Sequence, residues 1–209
     1  ETERLLVENL ETLGSHVDRN TELLSFEQDA DGVTATLQSG SGTQETCRAA
    51  YLVGCDGAHS AVRHALQLTF DGEAYPMNML LADVHLDWEL PSDRIILDFA
   101  RDGLLFAAPI SGGRARVLGD IPDDVTEITI EVVRDFMNAR SPVPVKVSDP
   151  VWMTTFRISE RQVDRYREGR VFVAGDAAHI HSPAGGQGMN TGMQDVYNLG
   201  WKLGLAVIG

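Results

Sequence analysis

The chain has few of the residues that mark several common classes of protein. Only two cysteines are present, Cys47 and Cys55, and neither belongs to a CxxC pair or to a Cys/His cluster with metal-ligand spacing. The longest late apolar stretch, 199–208, is short and contains Lys202, so it does not resemble a membrane-spanning run of about 20 residues. We therefore expect reduced thiols, no metal site and no membrane span.

Basic residues are also scarce. The chain has 17 Lys plus Arg against 31 Asp plus Glu, which gives a formal net charge of -14 at pH 7. Such a charge repels nucleic acid and acidic membrane surfaces, so a small molecule is the expected partner. The first residues, Glu1 to Arg4, have neither the basic nor the apolar region of a secretory signal. On these grounds we expect a cytoplasmic protein.

What the chain does contain is a succession of short strands and a few helices. Four leucines at helical spacing precede Gly14, which predicts a helix over 2–13 and a strand from near Ser15. Turn residues then separate three strand-like runs, which predicts a three-stranded meander over 21–28, 33–39 and 43–49.

Two strand-to-loop units flank a block of different character. The apolar run 50–54 ends in Asp56-Gly57, and Ser60 can then cap a short helix to about Leu66. A second run, 170–174, leads into Gly175-Asp176 and a long helix from about Gly188. The block between them predicts a mainly antiparallel sheet from strands at 79–86, 94–99, 104–109 and 115–118, followed by a helix at 126–139 and a strand at 152–159.

This order predicts an α/β chain, α+β overall, in which one domain is inserted into another. Residues 1–69 and 160–209 would form part of a Rossmann-like nucleotide-binding domain. Residues 70–159 would form an inserted, mainly antiparallel β-sheet domain. The nucleotide-binding domain is thus discontinuous in sequence, and the inserted sheet domain is continuous.

The second strand-to-loop unit carries the clearest chemical signal. Asp176 stands where an apolar strand ends, and a carboxylate in such a place needs hydrogen-bond donors. The hydroxyl groups of a ribityl or ribose chain would supply them, whereas a turn or capping aspartate is the simpler alternative. The segment 182–192 follows with four glycines and a helix start near Gly188, where free backbone N–H groups can stabilise negative charge. A glycine-rich connector before a surface helix is the alternative for that segment.

Residues 170–203 resemble the GD motif of the para-hydroxybenzoate hydroxylase family of class A flavoprotein aromatic hydroxylases, and in particular its phenol and polyketide hydroxylase branches. Residues 51–63, Tyr-Leu-Val-Gly-Cys-Asp-Gly-Ala-His-Ser-Ala-Val-Arg, are similar to the DG motif of the same family. The two motifs stand in the family's order around a β-rich insertion. The resemblance covers essentially the whole chain.

The resemblance implies a role for particular residues toward FAD. It places Asp176 at the ribityl chain, Pro183 at the flavin edge where oxygen reacts, and Gly188, Met189 and Asn190 at the pyrimidine end. The neighbouring glycines, Gly185 and Gly186, would let the backbone approach the flat ring.

The first motif has its own implied roles. Asp56 and Gly57 would lie near the FAD pyrophosphate, and Arg63 would organise that motif or meet NADPH phosphates. As an alternative, Arg63 is a solvated helix residue paired with an acidic side chain. The histidines His59, His179 and His181 are expected to hold backbone geometry, so no catalytic acid or base is predicted.

The implied function is an FAD- and NAD(P)H-dependent monooxygenase that hydroxylates a phenolic or polycyclic aromatic substrate through a flavin C4a-hydroperoxide. The inserted sheet would bind the substrate, with no particular residue assigned. Two alternatives remain: a Baeyer-Villiger-type flavin monooxygenase, and a non-catalytic fragment that binds an aromatic ligand or a partner.

One family element has no counterpart in this sequence. The family opens with a GxGxxG loop for the ADP half of FAD, and the nearest string here, 40–45, lacks the third glycine and lies in a predicted hairpin turn. Either a longer protein supplies that loop or the chain is a true fragment. A fragment would leave apolar faces for a partner or a second copy to cover, so a homo-oligomer is a further expectation to test.

Overall fold

The computed structural model describes residues 1–100, 103–125, 127–182 and 186–209 of the chain. These residues divide into two units. The first unit comprises 1–70, 162–179 and 187–209, and the second comprises 71–161 and 180–186. The chain therefore leaves the first unit twice, for 71–161 and for 180–186, and returns to it each time.

The first unit contains three helices and two small sheets. Helix α1 covers Thr2–Thr12, α2 covers Ala61–Ala65 and α4 covers Gly188–Ile208. The strands of one sheet are β1 (Thr21–Gln28), β2 (Val33–Ser39) and β3 (Gln44–Ala49), and those of the other are β4 (Leu52–Gly54), β10 (Arg167–Glu168) and β11 (Val171–Val173). A turn of 3-10 helix, Gly175–Ala177, follows β11.

The predicted meander is confirmed, whereas the strand predicted from near Ser15 is wrong. Strand β2 pairs antiparallel with both β1 and β3, so the three strands follow one another in sequence and in space. Residues 15–18 belong to no strand, and Asn20, with a φ of 55°, closes a turn immediately before β1. A residue in the left-handed region interrupts an extended run, which explains why pairing starts only at Thr21.

The parallel pair β4 and β11 organises the core of the first unit. Leu52 pairs with Val171 and Gly54 with Val173, and Val62 of α2 packs against this pair among the buried residues. A Cβ atom at Gly54 would lie 2.7 Å from the Cβ of Val62. Glycine at this position is therefore what allows α2 to lie directly on β4.

The second unit is built on a six-stranded sheet with the order β12-β9-β5-β8-β7-β6. Helix α3 (Ile130–Arg140) begins at the N-cap Thr129, later than the predicted start at Thr126, a residue outside the described part of the chain. The strands are β5 (Phe70–Trp88), β6 (Ile96–Ala100), β7 (Gly103–Ile110), β8 (Arg114–Ile121), β9 (Val145–Val163) and β12 (His179–Ile180). The strand predicted over 152–159 is thus only the middle of a much longer one.

One face of this sheet forms the larger hydrophobic core. Leu80, Ala82 and Val84 alternate along β5, and they pack with buried residues of β7 and β8 against Val133 and Met137 of α3. The alternation is the period-two pattern of a half-buried strand. The predicted combination of α/β elements with a mainly antiparallel sheet is confirmed.

The long helices of the first unit are much less buried. Neither α1 nor α4 has a fully buried residue, and Tyr197 and Ile208 of α4 are 82% and 85% exposed. Across the described ranges, none of the helices combines the length and the apolarity needed to cross a bilayer. Both cysteines are exposed and unbonded.

Candidate flavin site

A tight turn at the end of β11 presents the GD motif. Val171 and Val173 are buried in the sheet, and Gly175 then takes a φ of 59°. A Cβ atom at Gly192, on the first turns of α4, would lie 3.3 Å from the Cα of Gly175. The left-handed conformation and this close approach both favour glycine, and together they bring the turn against the start of α4.

Asp176 projects from this turn as an acceptor without a partner. The residue is exposed and makes no hydrogen bond or ion pair within the described part of the chain. A capping or turn aspartate would bond a nearby backbone N–H, as Asp29 does with the N–H groups of Asp31 and Gly32. The alternative of a structural turn aspartate is therefore not supported by the contacts of Asp176.

The turn is held by Asp195, which the sequence did not single out. Its Oδ2 accepts a hydrogen bond from the backbone N–H of Gly175 at 2.9 Å and lies 2.6 Å from Nε2 of His179. The Asp195 side chain is 25% exposed and that of His179 is 13% exposed. His179 thus contacts the same carboxylate that bonds the turn, and its expected role in holding backbone geometry stays a prediction.

A sequence signal for Asp195 does exist. Gly188, Gly192 and Asp195 lie at i, i+4 and i+7 and so share one face of α4. Two glycines followed by an acid on one helical face indicate a close approach to a donor. The backbone N–H of Gly175, in the nearby GD turn, is this donor.

Within the described residues, the first backbone N–H groups of α4 have no acceptor. Gln187 is the N-cap residue and provides no side-chain cap, while the N–H and hydroxyl of Thr191 both bond the carbonyl of Gln187. The N–H groups of Gly188, Met189 and Asn190 belong to the first turn, which has no intrahelical acceptor for them. They stand at the positive end of a 21-residue helix.

The side chains around this helix start are placed as follows. Met189 is 65% exposed and borders a shallow apolar groove beside Leu6 and Leu10 of α1. Asn190 donates weakly to Gln187 Oε1 at 3.3 Å, and Gly186 takes a φ of 62°. Pro183, which the resemblance places at the flavin edge, and Gly185, expected to let the backbone approach the ring, lie outside the described residues.

The DG motif uses its aspartate internally. Asp56 accepts a hydrogen bond from the hydroxyl of Ser60 through Oδ1 and one from the N–H of Val62 at 3.1 Å through Oδ2. Burial opposes ionisation of Asp56, but these hydrogen bonds outweigh it and hold the pKa of the carboxyl below its usual value. Gly57, with a φ of 81°, turns the chain between Asp56 and α2.

Arg63 connects the two motifs. Its side chain donates to the carbonyl of Ala58 at 2.8 Å and to the carbonyl of Ala177 at 3.0 Å, and its guanidinium lies 3.9 Å from the ring centre of Phe70. Arg63 is only 3% exposed, and burial lowers its pKa. The alternative of a solvated helix residue paired with an acid is therefore wrong, because Arg63 is buried and its Nη1 and Nη2 bond carbonyl groups inside the unit.

The residues present fit a flavin. The turn offers an unpartnered carboxylate for hydroxyl donors, and the helix start offers N–H donors for an electron-rich ring edge. Gly175 of the turn and Gly192 of α4 lie where the two backbones come closest, and neither residue carries a side chain that would separate them. This is the donor and acceptor set that a polyhydroxyl chain attached to a flat, anionic ring requires.

A family model described as FAD binding domain matches residues 1–209 of the chain. The chain belongs to the FAD binding domain family. Over its whole length it is 38% identical to pentachlorophenol 4-monooxygenase of Sphingobium chlorophenolicum, of which it covers 40%.

Solved structures agree with this membership. The structure of the Diels-Alderase PyrE3 from the pyrroindomycin biosynthetic pathway is similar, with a TM-score of 0.83 and 38% identity. The alignment covers 99% of this chain and 45% of PyrE3. The ternary complex of aklavinone-11 hydroxylase with FAD and aklavinone matches 100% of the chain and is covered to 41%, with a TM-score of 0.80 and 27% identity. The chain spans less than half the length of the curated relatives that it matches.

Proposed function

We propose that the protein carrying this chain is an FAD- and NAD(P)H-dependent monooxygenase that hydroxylates a phenolic or polycyclic aromatic substrate. Membership of the FAD binding domain family supports the cofactor. The names of two relatives, one acting on pentachlorophenol and one solved with aklavinone, support the substrate class. When bound, reduced FAD supplies the chemistry that activates molecular oxygen, and the nicotinamide supplies the electrons.

The observation that carries the proposal is the unpartnered Asp176 beside the uncapped start of α4. Asp176 would accept hydrogen bonds from the ribityl hydroxyl groups. The N–H groups of Gly188, Met189 and Asn190 would donate to the pyrimidine edge, where the positive end of the helix stabilises negative charge. Pro183 would lie at the edge of the ring where oxygen reacts, and Gly185 and Gly186 would let the backbone approach the flat ring.

The DG motif has a supporting role in this proposal. Both carboxylate oxygens of Asp56 are engaged by α2, so Asp56 would shape the loop whose backbone, including Gly57, meets the pyrophosphate. Arg63 would keep that loop in register with the GD turn through its bonds to Ala58 and Ala177. We further propose that 1–69 and 160–209 form the FAD-binding part and 70–159 the substrate-binding part.

No side chain of the chain is needed as an acid or base in this scheme. The residues of the GD turn and the helix start would hold the ring in one orientation, which is how a protein accelerates a reaction whose chemistry belongs to the cofactor. The sheet of the second unit would bind the substrate and exclude water.

The test is made on the full-length protein that contains this chain. We expect it to purify yellow, with about one FAD per chain, and to oxidise NADPH faster when a phenol is added, with a product one oxygen atom heavier. A colourless protein that gains no flavin spectrum on incubation with FAD would contradict the proposal.

A second candidate function comes from the Diels-Alderase relative. That relative is 38% identical to the chain and is named for a ring-forming reaction that adds no oxygen. A flavin-containing protein that consumes no NADPH with any phenol, and that converts a polyene to an isomer of unchanged mass, would favour this candidate over hydroxylation.

A further inference from the structure

The sheet of the second unit has a second face, opposite α3, that carries a band of apolar side chains. Leu81 pairs with Leu118, Leu118 with Phe106 and Phe106 with Leu97, so the four residues form one row across β5, β8, β7 and β6. Residues directly opposite in a sheet point to the same side. The core residues alternate with them and point toward α3. We call the side that carries this row the open face.

The open face is poorly covered by the described part of the chain. Leu97 is 54% exposed and Phe99, two residues further along β6, is 76% exposed. Leu81, Phe106 and Leu118 are only partly buried. A contiguous apolar surface of this kind is typical of a binding site, whereas apolar residues scattered singly over a surface are normal and need no ligand.

An ion pair lies next to the apolar row on this face. Asp83 of β5 and Arg116 of β8 are cross-strand partners in the row next to Leu81 and Leu118. Arg116 Nε and Nη2 donate to the two carboxylate oxygens of Asp83, each at 2.8 Å. The guanidinium also lies 5.7 Å from the ring centre of Trp152, which is 47% exposed.

The two partners of this ion pair are not equally buried. The Asp83 side chain is 12% exposed and that of Arg116 is 45% exposed. The bidentate contact uses Nε and Nη2, and Nη1 of Arg116 has no acceptor within the described ranges. Asp83 therefore fixes the plane of the guanidinium and leaves a pair of N–H donors directed away from the pair.

A ligand for this surface must combine two properties. Its body must be flat and apolar to lie on the row of leucine and phenylalanine side chains and against Trp152. It must also carry an oxygen acceptor for the remaining donors of Arg116. Because Asp83 neutralises the guanidinium, the site does not demand a full negative charge on that oxygen, and a phenol or quinone oxygen satisfies it.

We propose that Arg116 donates a hydrogen bond to a phenol or quinone oxygen of the aromatic substrate, that Trp152 contacts the substrate ring, and that Asp83 positions Arg116. This inference rests on the proposed function, since it assigns residues to the substrate of that reaction. It makes Arg116 the residue that distinguishes an oxygen-bearing ring from a plain hydrocarbon of the same size.

The test compares two probes of equal ring size, 2-naphthol and 2-methylnaphthalene, by fluorescence titration of the FAD-loaded full-length protein. The wild type should bind 2-naphthol more tightly. Arg116→Gln should weaken 2-naphthol binding about tenfold and change 2-methylnaphthalene binding less than about twofold, because only the former loses a hydrogen bond. Trp152→Leu should weaken both.

Arg94→Gln is the matched control, because Arg94 is an arginine of the same unit whose side chain is 74% exposed and lies 3.8 Å from the carboxylate of Asp93. It should leave both affinities unchanged. If Arg116→Gln does not fold with Asp83 unpaired, the double variant Asp83→Asn/Arg116→Gln removes both charges and should show the same selective loss.

Three results would overturn the inference: no preference of the wild type for 2-naphthol, an unchanged 2-naphthol affinity in Arg116→Gln, or equal losses for both probes in that variant. Failure of the proposed function looks different. In that case the wild-type protein either binds no FAD, and the two probes are titrated against the flavin-free full-length protein, or it binds FAD but does not oxidise NADPH with any phenol. The ratio of the two probe affinities is measured in both cases.

Discussion

Asp56 and Asp176 look alike in the sequence, since each stands beside a glycine at the end of a short apolar strand, but their surroundings differ. Both are exposed. Asp56 accepts hydrogen bonds from the hydroxyl of Ser60 and the N–H of Val62, so both of its carboxylate oxygens bond the start of α2. Asp176 has no such partner among the residues that the structure describes, and the nearby N–H of Gly175 is bonded by Asp195.

The difference shows how one unit separates support from binding. In the DG motif the aspartate shapes its own loop and Arg63 links that loop to the GD turn. In the GD motif a remote acid, Asp195, holds the turn and leaves Asp176 available. We therefore expect substitutions at Arg63, Asp195 and Asp56 to affect mainly stability, and a substitution at Asp176 to affect mainly FAD affinity.

The largest effect is expected for Arg63→Ala, which should lower the free energy of unfolding by about 3 kcal/mol because buried carbonyl groups lose their donors and Phe70 loses its packing partner. Denaturant unfolding of the apo protein measures this loss. Arg48→Ala is the control, since Arg48 bonds Asp29 and Thr34 on the surface, where solvent screens the charges, and its loss should cost much less stability. Equal losses in the two variants would show that Arg63 is not the buried link.

Asp195→Asn should come next, with a loss of about 2 kcal/mol, because a partly buried charge-assisted contact to His179 becomes a neutral one. His179→Gln should cost a similar amount, and the double variant should cost clearly less than the sum. Thermal unfolding of all three variants gives the coupling. Strict additivity would mean that the two side chains do not stabilise the turn together.

Asp176→Asn should raise the dissociation constant of FAD about tenfold, which corresponds to about 1.4 kcal/mol, while leaving apo stability within about 0.5 kcal/mol of wild type. The reason is that its carboxylate has no partner to lose in the apo protein. Flavin fluorescence quenching and unfolding curves measure the two quantities. Asp31→Asn, another exposed turn aspartate, should change neither. If Asp176→Asn is destabilised and binds FAD normally, Asp176 supports the fold and does not bind the cofactor.

The smallest effect is expected for Asp56→Ala, about 1 kcal/mol at neutral pH, since solvent screens an exposed carboxylate. The folded-state pKa of Asp56 lies below its unfolded value, so its contribution is complete above the unfolded value and is lost as the pH falls through the folded one. The difference between wild type and variant should therefore be full above about pH 5 and shrink below about pH 4. A difference that stays constant from pH 7 to pH 3 would contradict this assignment.

Much of this arrangement could be predicted from local sequence. The N-cap Ser60, the start of α4 at Gly188 and the meander all follow from short-range patterns, because capping and strand alternation depend on neighbouring residues. The absent strand near Ser15 and the full length of β9 could not be predicted in this way. The length of β9 depends on whether a distant segment supplies hydrogen-bond partners, which a single stretch of sequence does not state. The late start of β1 depends on the left-handed conformation of Asn20, which its residue type permits but does not require.

The sequence by itself determined that this chain has a GD motif and a DG motif in the order of the FAD binding domain family, because those motifs are defined by residue types at fixed spacing. Only the tertiary structure decided which aspartate is free. The N–H of Gly175 is bonded by a carboxylate 20 residues later in the chain, and the donors of Arg63 reach a carbonyl 114 residues away. The role of each charged side chain depends on these long-range hydrogen bonds, and they exist only once the two ends of the first unit have folded together.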